Sequence, residues 1–399
     1  MRRASTSPLP DGVAPLRVLL VAHHHLGHAA GVSGATLSLG AALRVRGCEV
    51  SYYSFDDAFG AAAGAEVPRM LRFPWRVAQH LAQLALVDVV DATTGDAWVW
   101  ASRGRRGNAL AALVTRAHGL EHVTSDDLRR RARTGQTKLS KKYSLYHGGY
   151  RLWEVRRSLR ASDAQIFLNE TDRGYAVGRL GVSAETSVVL PNGVANHLLD
   201  PAAVQTSTTA APIALAFVGS WIPRKGLGAV VEMAGTLHSR DVPFTLRLLG
   251  TGADAATVIG AFAPAVREWL SVTPRFEPAA LPALLSGAEV LLHPSWTEGF
   301  SLALVEGMAC GLAPVATRSG GSTTVVRDGE TGLLLAGEAG AELANAVARL
   351  AGDRALLTRL RGAAQRSVQS LRWDSIAERT LDVYRNAMAR RRALPGRRA

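Results

Sequence analysis

Two glutamates eight positions apart, Glu298 and Glu306, bracket the stretch of this chain best suited to chemistry. Between them and just beyond lie Gly299, Phe300, Ser301 and Leu302, then an apolar run that ends at Cys310-Gly311. Carboxylates are acceptor-only when ionised, so Glu306 suits the vicinal hydroxyls of a ribose and Glu298 the hydroxyls of a sugar. Ser301 is a residue type that caps helices, and a capped helix start turns free N–H groups toward an anion such as a diphosphate. Together these parts describe a site for a sugar nucleotide. Two glutamates at this spacing also occur on ordinary solvated helices, and it is their context that sets these two apart.

The context is a strand–loop–helix–strand unit. Val290 to Leu292 reads as a strand, the loop runs from Pro294 to Phe300, a helix begins near Ser301, and Ala313 to Ala316 reads as the next strand. That is the size of one βαβ unit, and its loop falls at the carboxyl end of a strand, where open α/β sheets bind ligands. Gly299 lets the backbone approach a ligand closely. Glu306 falls about two turns into the helix, near the face of its start.

The second half repeats this α/β pattern. Ile213 to Val218 is a strand, followed by Gly219-Ser220-Trp221-Ile222-Pro223-Arg224-Lys225-Gly226, a helix over 227–238 and a strand over 245–249. Arg275 follows a further short run, and 373–388 reads as an amphipathic helix. The first half opens with a strand over 17–22, a glycine-rich loop containing Gly31, Ser33 and Gly34, a helix from Ala35 to Arg46 and a strand over 49–54. The loop lacks the full G-x-G-x-x-G spacing of a dinucleotide site. His23, His24, His25 and His28 match no common zinc spacing and read as lining residues. His118 follows the strand over 111–114, and Asp91 stands at a comparable strand end. A lone histidine is commonly structural; the strand-end position favours a functional role for His118.

Beyond these patterns, the chain resembles glycosyltransferase family 4, a family of retaining GT-B enzymes. The resemblance rests on the acid-x7-acid motif Glu298–Glu306, Val189-Leu190-Pro191-Asn192-Gly193-Val194, Lys225-Gly226, Gly320-Gly321 and Asp328-Gly329-Glu330-Thr331-Gly332. It covers about 15–390 and is strongest over 213–335. It implies an α/β fold of two Rossmann-like domains facing a cleft, with a C-terminal helix crossing back to the first. It also implies sugar transfer from a UDP- or GDP-sugar to a glycan, lipid or other hydroxyl acceptor with retention, in bacterial cell-surface glycan or glycolipid synthesis. In that family Lys225 would grip the diphosphate, Glu306 the ribose and Glu298 the sugar, with Gly219, Ser220, Arg275, Gly299, Phe300, Ser301 and Leu302 lining the donor site. His118 would touch the transferred sugar or the acceptor, and Gly31, Ser33 and Gly34 would line the cleft. The family pattern has arginine where Ser220 stands and an acid where Thr324 stands; Arg224 is the candidate replacement cation. No D-x-D occurs, which argues against a metal-chelating site, so no metal is expected; the nucleotide sugar is a substrate, and no cofactor is expected beside it. The alternatives are another GT-B enzyme, an epimerase or phosphorylase, or a non-catalytic sugar-nucleotide-binding membrane scaffold.

Length and composition fit this reading. A chain of 399 residues accommodates two domains. Expected boundaries are a loose arm over 1–15, an acceptor-side domain over 16–200, a linker over 201–212, a donor domain over 213–372, a crossover helix over 373–390 and a basic tail over 391–399. Cys48 and Cys310 read as buried free thiols, no run approaches the length of a membrane span, and the N-terminus has no apolar signal core, so a cytoplasmic protein is expected. Of a net charge of +13, eleven Arg or Lys residues against one acid lie between Arg129 and Arg160, interleaved with Tyr143, Tyr146, Tyr150 and Trp153. That cluster suits an anionic membrane surface, placing the protein at the inner face of the plasma membrane, or else is a solvated basic face. Nucleic acid is disfavoured because no recognition motif accompanies the charge.

Overall fold

The computed structural model describes residues 14–27, 31–60, 65–199, 212–337 and 339–393. Residues 1–13 of the expected arm over 1–15, His28, most of the linker over 201–212 and the part of the tail beyond 393 lie outside the described residues. The chain divides into two compact units, residues 1–193 with 373–399, and residues 194–372.

Each unit is built on a six-stranded sheet whose pairings are all parallel. The first contains β1 (Arg17–Ala22), β2 (Glu49–Ser54), β3 (Val89–Thr93), β4 (Ala112–Ala117), β5 (Ala164–Phe167) and β6 (Ser187–Val189), in the order β2-β1-β3-β4-β5-β6. The second contains β7 (Ile213–Val218), β8 (Phe244–Leu249), β9 (Leu270–Thr273), β10 (Val290–His293), β11 (Ala313–Thr317) and β12 (Leu333–Leu335), in the order β12-β11-β10-β7-β8-β9. The central strands are buried on both faces, which is why they read as continuous apolar runs rather than alternating ones. In the second unit Leu215, Phe217, Leu246, Val290 and Val315 pack against Val230, Met233 and Leu237 of helix Leu227–Ser239 and Leu343 and Val347 of helix Gly340–Gly352. In the first, Val90 and Leu113 pack with Phe73, Val77 and Leu81 of helix Glu66–Gln83.

Three segments differ from the sequence expectation. The first helix starts at Gly31 rather than Ala35, so Gly31, Ser33 and Gly34 form its first turn instead of a loop. Ser33 Oγ bonds backward to the His25 carbonyl at 3.0 Å and accepts from Gly27 N, tying the turn to the segment before it. The segment 187–189, whose last residue opens the expected turn motif, is edge strand β6. The terminal helix runs Trp373–Ala393, past the expected end, because buried Tyr384, Ala387 and Arg391 continue its inward face. Tyr384 donates to Asp91 Oδ2 at 2.7 Å and Arg391 Nη2 to the Ala109 carbonyl at 2.6 Å, so this helix is part of the first unit. Among the described residues no helix is long and apolar enough to cross a membrane.

Candidate functional site

In an open parallel sheet the loops leaving adjacent strands diverge where the strand order reverses, and a crevice opens there. In the second unit that point lies between β7 and β10. The loop after β7 carries Gly219 to Gly226, and the loop after β10 carries Pro294 to Ser301. The two loops touch. Lys225 Nζ pairs with Glu298 Oε1, Arg224 Nη1 lies 3.5 Å from the same oxygen and donates to the Thr297 carbonyl at 3.2 Å, and Trp296 N donates to the Arg224 carbonyl at 2.9 Å. Gly226 allows this approach: its φ is +79°, and a Cβ there would stand 2.1 Å from the Pro294 carbonyl oxygen. The structure therefore brings Arg224, Lys225 and Glu298 together.

Ser301 Oγ accepts from Leu304 N at 3.3 Å and caps helix Leu302–Ala309, leaving the helix start beside buried Phe300 and the Gly299 turn. Behind the loop, Gly321 N donates to the Glu298 carbonyl at 2.7 Å, and a Cβ on Gly321 would sit 3.0 Å from that oxygen. Gly321 thus fixes the Glu298 backbone.

The carboxylates differ in state. Burial pulls Glu298 toward neutrality, but Lys225, His293 and Arg224 outweigh it and hold Glu298 below its ordinary value. Burial alone pushes Glu306 up to about 7, and no described residue donates to its carboxylate. His293, at the end of β10, is lowered to about 4 by burial against a partial pull from Glu298, with its Nε2 buried and unpartnered. The sequence reading passed over His293; the only available signal was its position as the last residue of β10. Ser220 is exposed, Arg275 is exposed beyond β9, and Gly219 follows β7 with φ +151°. Thr324 bonds the Gly320 carbonyl of its own helix at 2.8 Å.

The first unit has its own reversal, between β1 and β3. There His23 Nδ1 meets Asp96 Oδ1 at 2.7 Å, again joining the two diverging loops. Arg151 fills the space behind: it donates to the Thr94 carbonyl at 2.7 Å and to Glu121 Oε1 at 3.1 Å, and Gly95, with φ +81°, leaves it room. Burial keeps His23 neutral, lowered to about 3, and raises Asp96 well above its usual range. These pairings escaped the sequence reading because their members are far apart along the chain. His118 sits just past β4, half-buried beside a small cavity lined also by Thr36, Thr93, Arg116 and Asn192. Burial and neighbouring Arg116 hold it neutral, and its Nδ1 has no protein partner. Asp91 is committed to Arg116 at 2.7 Å and to Tyr384.

The basic cluster is not one charged face. Arg131 and Arg151 are buried with carboxylate partners, and Tyr146 is buried. Arg130, Arg133, Lys138, Lys141, Lys142, Arg156, Arg157 and Arg160 remain exposed.

Comparison with known proteins agrees with this architecture. The profile of glycosyltransferase family 4 matches residues 29–196, and that of the group 1 glycosyl transferases matches 212–353. The chain is 31% identical over 247 residues to the D-inositol 3-phosphate glycosyltransferase of Acidothermus cellulolyticus, covering 58% of this chain and 55% of that one. It is 34% identical over 191 residues to the protein of the same name from Salinispora tropica, covering 45% and 39%. The chain thus spans about half the length of the curated relatives it matches. Among solved structures, sucrose-phosphate synthase from Thermosynechococcus elongatus superposes with a TM-score of 0.74 at 19% identity, covering 94% of this chain and 99% of that one. Anabaena HepE in complex with UDP-glucose gives 0.65 at 19% identity, covering 92% and 98%. With both halves matched by adjoining family profiles and both sheets of the Rossmann-like type, the chain belongs to glycosyltransferase family 4 and has the GT-B fold.

Proposed function

We propose that this protein transfers a sugar from a nucleotide-sugar donor to a hydroxyl of a glycan or lipid-linked acceptor, with retention at the anomeric carbon and without a metal. The observation that carries the reading is the meeting of Lys225, Arg224 and Glu298 at the switch point of the second sheet, beside the capped helix that holds the unpaired Glu306. As the glycosidic bond breaks, the sugar becomes cationic and negative charge gathers on the leaving diphosphate. Lys225, Arg224 and the N–H groups at the Ser301 end of the helix stabilise that charge. Glu306 accepts from the ribose hydroxyls. Without donor, Glu298 holds Lys225 in place; with donor, the lysine turns to phosphate and Glu298 takes sugar hydroxyls. His118, neutral and with an unpartnered Nδ1, accepts a hydrogen bond from the sugar or acceptor. The reaction serves cell-surface glycan or glycolipid synthesis on the cytoplasmic side of the membrane, where sugar nucleotides are found.

The test is product analysis on a panel of UDP- and GDP-sugars with mixed hydroxyl acceptors. The reading expects free nucleoside diphosphate in step with a new glycoside whose anomeric configuration matches the donor's. Sugar nucleotide converted to its epimer without diphosphate release would select an epimerase. A product of inverted configuration would overturn retention alone.

A further inference from the structure

The first unit carries an exposed aromatic face that the transfer reaction does not use. Trp98 stands at its centre. Its ring lies edge-on to Trp75 of helix Glu66–Gln83 at 6.5 Å and edge-on to Trp153 of helix Arg151–Ala161 at 4.9 Å. Tyr150 continues the row, 5.6 Å from Trp153. From below, Trp98 Nε1 donates to buried Glu154 at 3.1 Å, which fixes the central ring. The outer members face solvent: Trp75 and Trp153 are each 48% exposed, Tyr150 37%, and nearby in sequence Leu71 37% and Leu145 74%. Leu71 and Trp75, four apart on one helix, share a face. The rings come from three segments spread over some eighty positions, yet they form one contiguous row.

Basic side chains accompany the row. Arg103 lies over the Trp75 ring at 4.4 Å, Arg72 and Arg76 are exposed on the Trp75 helix, and Lys141, Lys142 and Arg157 are exposed on the segments flanking Tyr150 and Trp153. Indole and phenol rings have an apolar body and a polar edge, the combination that settles at the headgroup level of a bilayer. Cations beside them meet anionic headgroups.

We propose that the Trp75–Trp98–Trp153–Tyr150 face docks the first unit on an anionic lipid leaflet. The aromatic side chains enter the interface and the surrounding arginines and lysines contact phosphate headgroups. This differs from attraction by the basic cluster alone, because ring burial does not depend on charge. Salt screens the cations beyond about 8 Å at 0.15 M ionic strength but leaves aromatic burial in place. Docking therefore weakens with salt without vanishing. The inference stands apart from the donor chemistry, which belongs to the second unit.

The experiment is co-sedimentation of the full chain with phosphatidylglycerol–phosphatidylcholine vesicles and with pure phosphatidylcholine vesicles, at low and high salt. Tryptophan quenching by bromine-labelled acyl chains is read in parallel. The proposal expects sedimentation with the anionic vesicles, quenching that shows indole at the acyl boundary, and residual binding in high salt. A W75S/W153S double variant should lose about tenfold or more in vesicle affinity, while K141S/K142S should lose less at high salt than at low. Circular dichroism confirms folding of each variant, and the thermal shift with UDP and GDP reports the donor site separately. A parent protein that stays in the supernatant with anionic vesicles at low salt overturns the proposal. So does a folded double variant that binds like the parent, which would leave a charge-only surface. Loss of a concentration-dependent dimer in the double variant, with no vesicle binding by the parent, would assign the face to a second copy of the chain instead.

Discussion

Lys225 and Glu298, 73 positions apart, form an ion pair that closes the loop after β7 onto the loop after β10. Both side chains are largely buried, so neither charge is fully hydrated. Lys225→Ala removes the main partner of a buried carboxylate, which costs about 1–3 kcal/mol of stability at neutral pH. Because Glu298 is depressed below its ordinary value, the stabilisation is present above the unfolded carboxylate pKa and is lost as pH falls through the folded one. Urea melts of parent and variant should therefore converge toward low pH. The same substitution should weaken nucleoside diphosphate binding more than nucleoside binding, read by calorimetry; equal losses would remove the lysine from the phosphate.

Glu306 gives a pH signature of its own. Burial pushes its carboxyl up to about 7. If the ribose hydroxyls bond it as proposed, they favour the ionised form, so donor binding lowers this pKa and releases a proton. Affinity for the nucleotide should rise from about pH 6 to about pH 8, and Glu306→Gln should flatten that rise. Calorimetry in buffers of different ionisation enthalpy counts the proton. An unchanged pH profile in the variant would take Glu306 out of the ribose site.

At Ser220, where the family pattern has arginine, this chain has an exposed hydroxyl, and Arg224 lies half-exposed beside Glu298. If Arg224 supplies the second phosphate charge, Arg224→Ala lowers transfer about 100-fold or more, as removal of a transition-state donor does. Ser220→Arg should be tolerated and should partly restore transfer in the Arg224→Ala background. Steady-state rates for the four proteins settle this; full activity in Arg224→Ala would place the second charge elsewhere.

Gly226 is a packing prediction. Alanine there adds a Cβ 2.1 Å from the Pro294 carbonyl oxygen at a positive φ. The β7 and β10 loops must separate, with a stability loss of about 2 kcal/mol or more and weakened nucleotide affinity. Thermal unfolding with and without UDP measures both; a variant as stable as the parent would mean the loops are not in contact in solution.

The features of the candidate site most legible in the sequence are local ones. Strand Val290–His293, the Ser301 cap, helix Leu302–Ala309 and strand Ala313–Thr317 follow from an apolar run, a capping hydroxyl and a glycine stop within thirty residues. The start of the first helix was misplaced because Gly31 and Gly34 argue for a loop, whereas the Ser33 hydroxyl ties the turn to His25 and Gly27. What local pattern does not encode is pairing at a distance. Lys225 reads as a phosphate ligand but gives no sign of its hold on Glu298, and Asp91 reads as a strand-end carboxylate, with its partner Tyr384 293 positions away. Arg151 looked like one more exposed cation in a basic run; only the fold places it behind Thr94 and Glu121.

The central claim is that the second unit binds a nucleotide sugar through Lys225 and Glu306. A thermal-shift panel of UDP- and GDP-sugars, each also run with Lys225→Ala and Glu306→Ala, tests it most directly. The account predicts that at least one donor raises the unfolding free energy of the parent, by about 2.7 kcal/mol at a hundredfold excess over its Kd, with most of the gain lost in both variants. No shift with any donor, or a shift that survives in both variants, would contradict it.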